Sequence, residues 1–526
     1  MPQRDSFAQV HVDVRTGAPF TAAPADDAPF CLAVLGDFGG REGTGRPAAV
    51  SGPLLVDRDD LDAVLARVAP EVALDLGGPQ RLRFTALDDF HPDRIHDRLP
   101  LLATLGETRR RLADPGTFAD AAAALQAPPP PAADGGRRSA TVERLATGSL
   151  LDDILAAAPE PTPAAAAGGP GSGASAAGEL AGFLRDVVRP HLVPRPDPRQ
   201  QELLASVDAA AAALLRVVLH HPAVRALERR WRGVELLVRR LETGPSLRIA
   251  LFDVTRAELA AGLGRDPRDG ALVRRLAAGA AALPQSAGWT AMVGLYDLDG
   301  EPADVALLDG LAQLGEACGA PWLGAAPRTL VPTLDADDAD DADDADDADD
   351  ATAAAVAGAG AEATAQLWTA VRRAPYARWL GLAHPAVLLR LPYGADGEPV
   401  DAPGFEEMEP GLDAPAARAR LLWGDAALVP ALVLGAAFAA DGWQLRPGAH
   451  LEVERLPLHL HRHAGGVDAV PPNGRLLGER DAVRLLEAGV MPLLARREGD
   501  SVRLARLQSV AEPVAALAGR WAAASA

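Results

Sequence analysis

The stretch LLRVVLHHPAVRALERRWRGVELLVRR (residues 214–240) constrains this chain more than any other. Pro222 has no N–H to donate, and it drives the residue before it out of the helical region. The stretch therefore predicts two helices split at His221-Pro222. In the second, Val224, Leu227, Trp231, Val234 and Val238 step by three and four, which lays them along one face. A stripe that long and apolar faces a core, so the rest of the chain has to supply one.

Other apolar runs show what that core contains. Residues 30–35 (FCLAVL), 82–84, 247–254, 289–296, 322–323 and 386–389 read as strands. Residues 61–68 place Leu61, Val64, Leu65 and Val68 at helical spacing behind a run of aspartates suited to a helix N-terminus. Residues 93–112 and 303–317 also read as helices. Strand and helix patterns alternate, so the predicted class is mixed α/β.

The organisation along the chain is uneven. Residues 1–28 are a polar lead-in, and 29–126 form a first α/β domain. Residues 127–178 are a Pro-, Ala- and Gly-rich linker, its Pro run favouring an extended form. Inside the linker, 149–157 predicts a lone amphipathic helix. Ser149 and Asp152 sit at capping-box spacing, and Leu150, Leu151, Ile154 and Leu155 make its apolar face. A helix so short needs a partner surface. Residues 179–526 form a second, larger α/β domain, interrupted at 335–351 by an Asp-Ala repeat.

That repeat holds eleven aspartates of a formal net charge of -21, and without them the balance would be about half as negative. The run repels itself and stays solvated, as an insertion in a surface loop. It lacks the glycine and the terminal glutamate of an EF-hand, which disfavours calcium. There is no lysine anywhere, and the acidity argues against nucleic-acid binding. Two cysteines, Cys31 and Cys318, cannot build a disulfide framework and suit a reducing compartment. The first residues carry no apolar signal core, and no apolar run reaches the roughly 18 residues a membrane span needs. The expectation is a cytoplasmic protein not inserted in a membrane.

Three constellations invite a chemical reading. GDFGGREGTG (36–45) follows a strand and is rich in glycine, but it has no Gly-Lys-Ser/Thr, which excludes a P-loop and favours a structural turn. His459, His461 and His463 alternate and would share one face of a strand, as zinc ligands can; a solvated strand face is the favoured alternative. Asp88, Asp89 and His91 could be an acid/base cluster, but LDDFHPD reads better as a turn and helix cap before Ile95. No nucleophile elbow, HExxH helix or Cys-x-x-Cys pair is present, so no enzyme, cofactor or metal is expected.

Four blocks in order, PFCLAVLGDFGGR (29–41), VDRDDLDAVLARVAPEV (56–72), LRFTALDDFHPDRI (82–95) and LLATLGETRRRLADP (101–115), resemble the small (TssB-like) subunit of the type VI secretion contractile sheath. The 214–238 stretch resembles the opening signature of its large (TssC-like) subunit. So do GWTAMVGLYDLD (288–299), the block 303–326, YARWLGLAHPAVLLRLPYG (376–394), FEEME (405–409), the block 421–443 and ERDAVRLLEAGVMPLL (479–494).

The resemblance implies one chain fusing two usually separate subunits. It implies self-association into a helical sheath around an inner tube protein, joined to a baseplate, with strands exchanged between neighbours and contraction driving effector delivery. It also implies recycling by a AAA+ unfoldase that grips a helix like 149–157, with Leu150, Leu151, Ile154 and Leu155 as its contacts. The family's large subunit normally runs on past an element like LQSVAEP (507–513), so the chain is expected to lack part of that region. A non-polymerising adaptor that binds sheath, tube or baseplate parts is the alternative.

Overall fold

The computed structural model describes residues 25, 27–76, 78–126, 197, 199–332, 334, 351–395, 397–409, 411–463 and 466–522, with the helix 351–373 described at its start by backbone alone. The predicted helix 149–157 and the Asp-Ala repeat up to residue 350 lie outside these residues. In the first segment the chain forms β1 (Phe30–Gly36), β2 (Leu54–Val56), α1 (Leu61–Val68), β3 (Glu71–Asp75), β4 (Pro79–Arg83), α2 (Pro92–Arg98), α3 (Pro100–Ala113) and α4 (Phe118–Gln126). The second segment opens with α5 (Arg199–Leu219), α6 (Pro222–Arg240), β5 (Leu247–Asp253), α7 (Arg256–Leu263), α8 (Ala271–Ala281), β6 (Ala291–Gly294), α9 (Pro302–Cys318) and β7 (Trp322–Ala325). It continues with α10 (Ala351–Arg373), β8 (Leu380–His384), β9 (Val387–Leu388), α11 (Ala414–Arg420), β10 (Trp423–Gly424) and α12 (Leu428–Asp441). Last come β11 (Glu452–Val453), β12 (His459–His463), β13 (Gly466–Val470), α13 (Glu479–Glu487), β14 (Val490–Ala495) and β15 (Val502–Leu504).

Nine strands form one sheet in the order β11-β15-β14-β8-β7-β6-β1-β5-β2. The strands from β5 to β14 in that order run parallel; β2 and β15 run against them, and β11 pairs antiparallel with β15. β1 comes from the first segment, yet it lies between β5 and β6 of the second, with Phe30 opposite Leu247 and Leu32 opposite Ala291. The α/β class is as expected, and the two segments share one sheet rather than folding around separate ones.

The alternation of β1 shows why that sheet is covered on both sides. Phe30, Leu32 and Val34 enter the larger core with α1, α6 and α12, while Cys31, Ala33 and Leu35 enter a second core beneath α7, α8 and α9. A parallel strand buried on both faces reads as an unbroken apolar run, which FCLAVL does. On α6, Val224, Leu227, Trp231, Val234 and Val238 are all buried, as their spacing predicted.

Some elements differ from expectation. The helix read over 93–112 is two helices, because Pro100 ends the first at Leu99 and opens the second. The strand read over 386–389 shrinks to β9, and the central strand beside it is β8, which was not anticipated. Away from the main core, α3, α4 and α5 pack into a small bundle around Leu112, Phe118, Leu203 and Val207. The Arg109 guanidinium meets Asp208 at 2.6 Å there, and Gln200 Nε2 donates to the Leu112 carbonyl at 2.7 Å.

Candidate functional site

Two clusters of buried polar groups stand out, one on the seam between the two segments and one within the second segment. The first cluster starts at the loop after β1. Asp37 accepts from the backbone N–H groups of Arg41 (2.7 Å) and Glu42 (2.9 Å), which curls the loop back on itself. Gly40 takes φ +63°, the left-handed region open to glycine, and a Cβ there would press on the Glu71 carbonyl at 3.0 Å. The curl aims the Arg41 guanidinium across the seam. Its Nε donates to Asp253 Oδ2 at 2.9 Å, and Nη1 and Nη2 grip the Glu258 carboxylate at 2.8 and 2.7 Å. Gly39 N–H closes the ring on Asp253 Oδ1 at 3.1 Å. Hydrogen bonding to Arg41 holds the Glu258 carboxyl down at about 2, whereas burial raises that of Asp253 in spite of the arginine. The glycine-rich loop is thus the structural turn expected.

The second cluster is built within the second segment, on Glu228 and Arg232 of α6. Arg390 donates to Glu228 through Nε (2.7 Å) and Nη2 (3.3 Å), and to Glu407 through Nη1 (2.7 Å) and Nη2 (3.1 Å). Its guanidinium also lies over the Tyr393 ring, 4.0 Å from the centroid. Arg232 joins Glu228 (2.9 Å) to the Tyr393 hydroxyl (2.9 Å), and Tyr393 N–H donates to Glu407 at 2.8 Å. His220 Nε2 stands 3.4 Å from Glu407 Oε1. Glu228, Arg390 and Glu407 are at most 3% exposed. Burial alone would push the Glu407 carboxyl up; Arg390 outweighs it and brings the group to about 2.

Trp231 sits between the clusters. Its Nε1 donates to the Phe38 carbonyl at 3.0 Å, and the two rings meet edge to face at 5.4 Å. One helix therefore ties the loop of the first segment to the charged pocket of the second. The DDFHPD turn adds a third tie. Asp89 accepts from Thr85 and Ala86 and pairs with Arg98; burial raises its carboxyl, but those bonds win and hold it below the usual range. His91 caps α2 by accepting from Asp93 N–H at 3.3 Å, and it packs edge-on against Tyr393. Asp93 accepts from the N–H groups of Asp401 (3.0 Å) and Ala402 (3.2 Å), across the seam. The turn and cap reading is what the structure shows.

None of this is arranged for proton transfer. Glu228, Glu407, Glu258 and Asp89 are held as ions by arginines that keep their charge at any working pH. Such an array clamps chain segments together.

The remaining candidates fall elsewhere. His459, His461 and His463 do share one face of β12, with neighbouring rings 6.5 and 6.0 Å apart. The solvated face expected for them is corrected: His459 and His461 are buried, because the outward face of the β12–β13 hairpin carries Leu460 and Val467 instead. No group of three His, Cys, Asp or Glu among the described residues is arranged to hold a metal. Burial raises both cysteine thiols, Cys318 to about 12. Leu150, Leu151, Ile154 and Leu155 lie outside the described residues.

Sequence reasoning missed the Arg390 cluster, although Glu228 carried a signal. It falls between Leu227 and Trp231 on the buried stripe of α6, and a charge on a core face needs a partner.

Two family models match this chain. The one described as EvpB/VC_A0108, tail sheath N-terminal domain, covers residues 201–511. The one described as type VI secretion system, VipA, VC_A0107 or Hcp2, covers residues 9–127. Among curated proteins, the type VI secretion system sheath protein TssC1 of Pseudomonas aeruginosa is 28% identical over 321 residues, which is 60% of this chain. The chain spans 61% of that relative's length.

Proposed function

This chain belongs to the type VI secretion tail-sheath family, joining small-subunit and large-subunit segments in one polypeptide, and we propose that it assembles into the sheath as a ready-made pair. It is a sheath component, a member of structural families rather than of enzymes. In the proposed reading, copies polymerise helically around an inner tube in the cytoplasm, dock on a baseplate, and contract to deliver effectors. The observation that carries it is β1 seated between β5 and β6, a small-subunit strand built into the large-subunit sheet. A unit so interleaved, with the Arg41 clamp, the Trp231–Phe38 bond and the Asp93 tie across its seam, can transmit force without its halves parting.

Negative-stain electron microscopy of the purified chain, alone and mixed with a tube protein encoded beside it, tests this reading. Helical tubules are expected. Single compact particles under both conditions would overturn it in favour of a non-polymerising adaptor. For recycling, the proposed grip of the unfoldase is on Leu150, Leu151, Ile154 and Leu155. Leu151→Asp with Ile154→Asp is expected to abolish capture by the AAA+ unfoldase in a pull-down while the thermal melt stays unchanged. Undiminished capture would refute the assignment.

A further inference from the structure

The matched tail-sheath domain ends at residue 511, but the described chain continues to 522, and its last residues are firmly held. Leu517 is 3% exposed and Trp521 5%, and both belong to the larger core. The segment crosses the amino ends of the parallel strands. Val510 N–H donates to the Leu380 carbonyl at 3.0 Å, Glu512 N–H to the Arg372 carbonyl at 2.8 Å, and Ala518 N–H to the Arg378 carbonyl just before β8 at 2.8 Å. Arg520 Nη1 reaches the Ala287 carbonyl before β6.

The floor it lies on is cut for it. Gly288 takes φ +112°, and a Cβ there would fall 2.2 Å from Arg520 Nη2. A Cβ on Gly381 of β8 would meet Leu517 Cδ1 at 3.1 Å. The segment is shaped in return, since a Cβ on Gly519 would overlap the Trp521 ring at 2.4 Å.

We infer that residues 512–522 are a strap seated in a peptide-docking groove beneath the amino ends of β1, β6 and β8. The groove takes a short segment with Leu and Trp four residues apart and Arg between them, and its occupant is this chain's own strap. Strap and groove meet in this way whether or not the chain polymerises. The strap leans on two apolar anchors rather than on a ladder of backbone bonds, so loss of the anchors frees it while the sheet above stays paired. It also lies against the loop that holds one of the chain's two cysteines: Arg520 donates to the Ala287 carbonyl, and the neighbouring Ser286 Oγ stands 3.9 Å from Cys31 Sγ near the start of β1, while Cys318 ends α9.

The test uses the full chain and these native thiols. Leu517→Asp with Trp521→Asp is expected to keep the far-ultraviolet circular dichroism of the parent. Its thiols should react with a disulfide reagent at least about tenfold faster, as protection falls with local opening. A fluorescent peptide of residues 512–522 should bind this variant and not the parent, whose groove is filled; the same peptide with both anchors replaced by Asp should bind neither. Should the double variant fail to fold, Trp521→Ala alone is read in the same way. A folded variant with parental thiol reactivity, or one that binds no peptide, would overturn the inference.

Discussion

Arg41 and Arg390 each grip two carboxylates, Arg41 across the seam between the segments and Arg390 within the second segment, and their surroundings differ. Arg390 holds Glu228 and Glu407 where neither is more than 3% exposed. Arg41 holds buried Asp253 together with Glu258, which is 45% exposed. The difference teaches which clamp depends on being complete. Removing one member of a fully buried set strands the others without water, whereas a carboxylate at the surface simply rehydrates. The Arg390 cluster should therefore be brittle and the Arg41 cluster forgiving.

The sharpest way to break this contrast is Arg390→Met, expected to cost about 3–5 kcal/mol in urea unfolding because it leaves two carboxylates facing each other in the core. Adding Glu228→Gln and Glu407→Gln should recover most of that loss; no recovery would show that the guanidinium acts by shape and not charge. Trp231→Ala, which cuts the link between the clusters, is expected to cost up to about 3–5 kcal/mol by leaving a cavity. A near-neutral result would mean that the clusters stand independently. Arg41→Met is expected to cost less, about 1–3 kcal/mol, since only Asp253 is left without water. Equal losses at Arg41 and Arg390 would erase the distinction.

The smallest effect concerns pH. Asp425 accepts the Ala427 N–H at 2.8 Å but has no arginine fork, and burial pushes its carboxyl up to about 7. The folded state thus keeps a proton that the unfolded chain gives up near pH 4, and stability declines as pH rises from there through 7. Asp425→Asn is expected to raise the melting temperature at pH 8 and leave it unchanged at pH 4. Glu407 behaves oppositely. Held at about 2, it contributes fully above its unfolded value of about 4.3 and loses that contribution as pH falls through 2.

Much of the fold was legible where periodicity is long or unbroken. α6 announced itself through five apolar positions at helical spacing, and β1 through an apolar run that closes in a glycine turn. β8 was missed because Leu380–His384 is short, contains a glycine and runs straight into Pro385. β2 has three residues, too few for any pattern. Strand order was illegible because the pairing of Phe30 with Leu247 joins residues more than two hundred positions apart, and no local propensity encodes such a partner. The buried charge clusters were hidden for the same reason. Arg390 and Glu407 lie in blocks that carry the family resemblance, but nothing in either block says that they meet Glu228.

The three-helix bundle has a further consequence. The chain leaves it at the end of α4 and re-enters it at the start of α5, with α3 packed between the two. Departure and return are therefore at one place, and the connecting residues need span no distance that the fold has not already closed. Such a connection fixes stoichiometry: every β1 is made together with the β5 and β6 that flank it. It also turns the meeting of the two segments from a second-order encounter into a first-order one, at a local concentration set by tether length and not by expression level. Separately made halves would face dilution; a single chain does not.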